Sequence, residues 1–121
     1  MDAWRLGEME EKFAELIWEN APVSTRRLVE LAAEAFDWKR TTTYTMLKRL
    51  CERGLFAMSN AVVEVRVTHE EFLAAQGERF LSEHFNGSLP RFLATFTRKN
   101  RLSEQEIDEI EALIAQHREE E

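Results

Sequence analysis

The chain has 121 residues, 44% of them hydrophobic and 32% charged, with a formal net charge of -7. That length suits one compact domain or a small domain with an appended segment, and the apolar fraction excludes a disordered chain. No apolar run approaches a membrane span, and the opening MDAWRLGEMEEK lacks the basic-then-apolar pattern of a signal peptide, so a cytoplasmic location without membrane insertion is expected. The single cysteine, Cys51, has no partner for an internal disulfide and falls inside a helical segment, which points to packing rather than chemistry.

From Leu6 to Asn20, Met9, Phe13, Leu16 and Ile17 recur at helical spacing among glutamates, predicting a first amphipathic helix. Ala21-Pro22-Val23 breaks it. Ser24 is a candidate N-cap for a second helix from Thr25 to about Ala35, with Leu28, Leu31 and Ala32 inward. Phe36-Asp37-Trp38 then connects to WKRTTTYTMLKRLCERG, the stretch from Trp38 to Gly54. Here Lys39, Arg40, Lys48, Arg49 and Arg53 stand against Glu52 alone, a local charge of +4 in an acidic chain. Met46, Leu47 and Leu50 would face a core. Thr41, Thr42, Tyr44, Thr45, Lys48 and Arg49 would form a short, hydroxyl-rich, basic outer face. Hydroxyls bond phosphates or base edges, threonine methyls touch thymine methyls, and arginine pairs with guanine in bidentate fashion. The candidate DNA-binding residues are therefore Lys39, Arg40, Thr41, Thr42, Tyr44, Thr45, Lys48 and Arg49. Three successive β-branched threonines start a free helix poorly, so docking must hold this turn.

An isolated amphipathic helix often carries a solvated basic face with no further role, so the elements around this one decide its reading. Gly54 is a plausible left-handed cap, and Leu55 to Met58 and Val62 to Val67 are β-prone runs separated by Ser59-Asn60-Ala61. Two helices, a basic helix and a hairpin make the order of a winged helix-turn-helix.

From Glu70 the helical pattern resumes, and five of the eight phenylalanines fall at Phe72, Phe80, Phe85, Phe92 and Phe96. Asn86-Gly87-Ser88 marks a turn, after which Leu89, Phe92, Leu93 and Phe96 follow i, i+3, i+4, i+7 spacing. Arg98 to Arg101 is a basic break. Ser103 with Glu106 forms a capping-box pattern opening a last helix, whose Ile107, Ile110, Leu113 and Ile114 make one narrow stripe on an acidic rod. Pairing with a second copy is expected over folding back, through Phe72, Phe80, Phe85, Leu89, Phe92, Leu93, Phe96, Ile107, Ile110 and Ile114. Residues from Leu102 onward sum to -7, so residues 1–101 are neutral overall and free to carry a basic face. The fold expected is mainly α: a winged helix-turn-helix of three helices and a small β-hairpin wing over residues 1–69, with a C-terminal helical dimerisation arm over residues 70–121.

These residues resemble the penicillinase-repressor family of bacterial transcriptional repressors, the BlaI/MecI/CopY type, along nearly the whole chain. The resemblance rests on Glu10 with Ile17-Trp18, Trp38 followed by Thr42, Thr45-Met46-Leu47 and Arg49-Leu50, then Arg53-Gly54, Phe85-Asn86-Gly87-Ser88-Leu89, and Leu102-Ser103 with Glu106-Ile107. No one of these is specific; their order is. The resemblance implies a homodimer that binds a palindromic operator on double-stranded DNA and blocks transcription. The chain also departs from the family pattern. Its wing turn, Met58-Ser59-Asn60-Ala61, lacks the usual cation and glycine, and Thr41 stands where lysine is common. Thr95-Phe96 replaces the Asn-Phe bond at which sensor-controlled relatives are cleaved, leaving any inactivating protease or sensor partner open. The terminal QHREEE replaces the paired cysteines of copper-responsive relatives, which argues against copper sensing through thiolates.

An enzyme is not expected, because His69, His84 and His117 lie in three separate segments without ligand spacing, and no glycine-rich phosphate loop is present. No metal site or cofactor is expected either. The rival reading is a winged-helix adaptor that binds protein and has lost DNA binding, which the neutral wing and acidic arm would suit.

Overall fold

The computed structural model describes residues 4–120. In chain order these form α1 (Glu8–Asn20), β1 (Val23–Ser24), α2 (Thr25–Phe36), α3 (Arg40–Glu52), β2 (Phe56–Ser59), β3 (Val62–Val65), α4 (His69–Phe85), α5 (Leu89–Lys99) and α6 (Glu104–Glu119). The chain divides into two compact units, with the division between Gln76 and Gly77, inside α4. The first is the expected winged helix-turn-helix.

Local chemistry sets the element ends in this first unit. The Glu10 carboxylate accepts the Gly7 amide at 2.9 Å and starts α1. Ser24 Oγ accepts the Arg27 amide at 3.0 Å and caps α2, as its sequence position implies. After α3, Gly54 adopts φ +84°, and the amides of Gly54 and Leu55 donate to the carbonyls of Cys51 and Leu50. That paired closure is a Schellman ending, which requires a left-handed residue at this one position.

The sheet departs from expectation. The sequence reading has Val23 in a helix break and Ser24 as a cap, yet both also form β1, so the sheet has three antiparallel strands in the order β1-β3-β2. Val23 pairs with Val63, and Phe56 and Met58 pair with Val65 and Val63. The Thr25 amide extends the tie by donating to the Ala61 carbonyl at 2.9 Å. The wing is thus anchored to the start of α2 rather than hanging as a free hairpin. Its loop is Asn60-Ala61 alone, with φ of 53° and 59°, the left-handed pair of a type I′ turn.

Phe13, Ala14 and Ile17 of α1, Leu28 and Ala32 of α2, and Leu47 and Leu50 of α3 meet Val23, Leu55, Phe56 and Val63 in one apolar core. Phe72 of α4 completes it at 1% exposure. This corrects its expected place in a dimer seam: its ring packs 5.2 Å from Trp18, inside the winged helix. Trp18 also packs on Phe56 at 5.3 Å and stacks on His69 at 4.5 Å, and its indole N–H donates to the Val67 carbonyl at 2.9 Å. The Thr68 amide donates to Glu71 Oε1 and the Glu71 amide to Thr68 Oγ1, opening α4, and hydrogen bonding from the Thr68 amide and then its hydroxyl lowers the Glu71 carboxyl from its ordinary value.

The second unit comprises the rest of α4 with α5 and α6. Asn86 and Gly87 turn the chain at φ 54° and 79°, and Ser88 Oγ caps α5 by accepting the Arg91 amide at 3.1 Å. Phe92 meets Phe80 and Phe85 edge to face, with ring centroids 5.9 and 5.5 Å apart. Ser103 and Glu106 form the predicted capping box of α6. Among the described residues from Gly77 onward, none is buried.

Ala61 in a left-handed conformation carries steric strain that glycine would relieve, partly offset by the greater freedom of glycine in the unfolded chain. Ala61→Gly is expected to stabilise the first unit by about 1 kcal/mol, read as a higher midpoint in thermal unfolding followed by circular dichroism.

Candidate nucleic-acid interface

The buried stripe of α3 decides which of its side chains point outward. Thr43, Leu47 and Leu50 are buried, and Met46 is half-buried beside them. Thr43 was not singled out from sequence, but its hydroxyl donates to the Lys39 carbonyl at 3.3 Å, so a polar residue is satisfied in the core-facing row. Trp38 lies in the connector before α3, 5.1 Å from the Phe13 ring and 4.9 Å from Phe36, and it holds the start of the helix against the core. This packing supplies the docking that the threonine-rich first turn requires.

Of the candidate DNA-binding residues, Lys39, Arg40, Thr41, Thr42, Thr45, Lys48 and Arg49 are all exposed, while Tyr44 is half-buried on the flank. Lys39 is the N-cap position and makes no side-chain cap bond. The Arg40 guanidinium lies 5.4 Å from the centre of the Tyr44 ring, one turn on. Thr45 Oγ1 donates to the Thr41 carbonyl at 2.9 Å. The Arg49 guanidinium reaches Met46 Sδ at 3.7 Å and otherwise faces outward. Thr41, Thr42, Thr45, Lys48 and Arg49 are exposed on the side of α3 away from the buried row, with Lys39 and Arg40 at its N-terminal end.

Arg53, counted in the local charge of the segment, does not join that surface. Its Nη1 donates to the Arg5 carbonyl at 2.6 Å and its Nη2 lies 3.6 Å from Glu10 Oε2. It braces the end of α3 to the segment before α1. Two exposed cations that the sequence reading did not single out are Arg26, at the start of α2, and Arg66, just after β3. Arg66 puts a positive charge at the base of the wing, although the Asn60-Ala61 tip has none.

Cys51 is half-buried, and burial, then the neighbouring Glu52 charge, push its thiol up from the ordinary value, so it stays protonated. Among the described residues no group of three or more histidine, cysteine or acidic side chains is placed to hold a metal ion. No helix among the described residues is long and apolar enough to cross a membrane.

The residues expected for dimerisation are divided between the two units. Phe80, Leu89 and Phe96 are 46%, 54% and 42% exposed, and Ile114 is 53% exposed. Phe85, Phe92, Leu93, Ile107 and Ile110 are half-buried. Only Phe72 belongs to the other core.

Two known proteins are similar in sequence to this chain along most of its length. The penicillinase repressor of Bacillus licheniformis is 21% identical over 118 residues, covering 94% of this chain and 92% of its own. The methicillin resistance regulatory protein MecI of Staphylococcus aureus is 21% identical over 115 residues, covering 92% of this chain and 94% of its own. The family model described as penicillinase repressor matches residues 6–116, and the chain belongs to that family of transcriptional repressors.

Proposed function

We propose that the chain represses transcription as a homodimer bound to a palindromic operator on double-stranded DNA. The observation that carries this reading is the outer face of α3: Thr41, Thr42, Thr45, Lys48 and Arg49 are exposed together, opposite the buried Thr43, Leu47 and Leu50. A helix of this width fits the major groove, where threonine and arginine read base edges and lysine neutralises phosphate. Lys39 and Arg40 stand at its N-terminal end, the end that approaches bases in helix-turn-helix proteins. Arg26 at the start of α2 and Arg66 after the wing are further exposed cations available to phosphates.

Dimerisation falls to residues 77–120, with the winged helix ending where the first unit does. From Gly77 to Glu120 no side chain is buried, which leaves Phe80, Phe96, Leu113 and Ile114 largely exposed, and a second copy offers a matching apolar surface. The adaptor reading draws on the uncharged wing tip, and the two readings differ in response to salt.

Binding to a selected duplex should weaken steeply as salt rises, since phosphate neutralisation releases counterions; absence of binding even at low salt would favour the adaptor. Arg49→Ala should lose about 1–3 kcal/mol of operator affinity if it pairs with a base, with an unchanged melting curve. A chain truncated after Gln76 keeps Phe72 and should sediment as a folded monomer, and a dimer at that length would move the interface into the winged helix.

A further inference from the structure

Thr45 stands at the centre of the outer face of α3. At about 100° per residue it lies across the helix axis from the row of Thr43, Leu47 and Leu50. It is exposed, and its neighbours on that face are Thr41, Lys48 and Arg49. A short side chain between long cations is the point of closest approach between this helix and whatever lies against it. Its hydroxyl makes the bond back to the preceding turn that Thr43 and Thr97 also make. The hydroxyl proton is committed to the Thr41 carbonyl at 2.9 Å within the same helix, so no donor is left to aim at a base edge. β-branching restricts χ1 in a helix, and with the oxygen turned back along the backbone the γ-methyl is what remains to meet a partner.

We propose that Thr45 is a specificity-determining residue that recognises the 5-methyl group of a thymine in each operator half-site by apolar contact. The proposal rests on the operator-binding reading above and adds the base and the atom that are read. In the major groove thymine alone offers a methyl group, so a methyl facing a methyl distinguishes thymine from cytosine without a hydrogen bond. The cations beside Thr45 draw the helix down onto the backbone, and the methyl contact excludes water between helix and groove.

The test uses the full chain and a duplex chosen from a random pool by its own binding. Each dT of that duplex is replaced in turn by dU, which removes only the 5-methyl group. For the wild-type chain one replacement per half-site should weaken binding by about fourfold, the weight of one buried methyl group. Thr45→Ser, which keeps the hydroxyl and removes the methyl, should bind the dT and dU duplexes alike. Thr45→Val, which keeps a methyl and removes the hydroxyl, should still discriminate between them. The proposal is overturned if no dT replacement affects the wild type, if Thr45→Ser still discriminates, or if Thr45→Val loses the discrimination. A pool from which no duplex is retained at low salt overturns the operator-binding reading itself and this proposal with it.

Discussion

The hydrogen bond from the Trp18 indole to the Val67 carbonyl, 2.9 Å long, joins parts of the chain that nothing local would bring together. Val67 follows the wing and precedes α4, so this bond draws the return of the hairpin onto α1. The ring then fills the space between Phe56 of β2, Phe72 of α4 and His69. In the same core, α3 packs by one row, Thr43, Leu47 and Leu50, beside Leu28 and Ala32 of α2. The outward set on α3 is a consequence of that row. A tryptophan suits the position because its body is apolar while its N–H requires an acceptor, which the carbonyl of a non-helical residue leaves available.

The helices, the caps at Ser24 and Ser103 and the basic character of α3 are legible in the chain because each is written locally, in 3.6-residue periodicity, in a capping residue and in a cluster of cations. What escaped was set by contacts between distant residues. β1 is two residues long, too short for any alternation to show, and exists only because Val63 comes alongside Val23. Phe72 reads like the four phenylalanines after it, yet its place in the first turn of α4 puts it against Trp18. Arg53 adds to the charge of its segment on paper, but a carbonyl and a carboxylate from the N-terminal region claim it. The row of hydroxyls had the opposite fate: Thr43 seemed one of three equivalent threonines, and only helix phase separates it, buried, from Thr41 and Thr42.

Charge is distributed with a similar division of labour. The acidic excess resides in residues 102–121, on and beside α6, while the segment of α3 carries cations and hydroxyls with Glu52 alone among acids. A net charge of -7 therefore says little about the field at the interface, which local geometry determines.

The absence of any buried side chain from Gly77 to Glu120 has a thermodynamic consequence. Helices of 11 and 16 residues are marginal in water on their own, and the edge-to-face rings around Phe92 supply only a small apolar nucleus. In the proposed dimer, the copy that covers α5 and α6 supplies free energy that keeps them ordered, and ordering is linked to binding. Amide exchange in this unit should accordingly follow occupancy of that surface, while exchange in the core around Trp18 follows global unfolding. The proposed dimer would join a domain whose stability is its own to one whose stability depends on concentration.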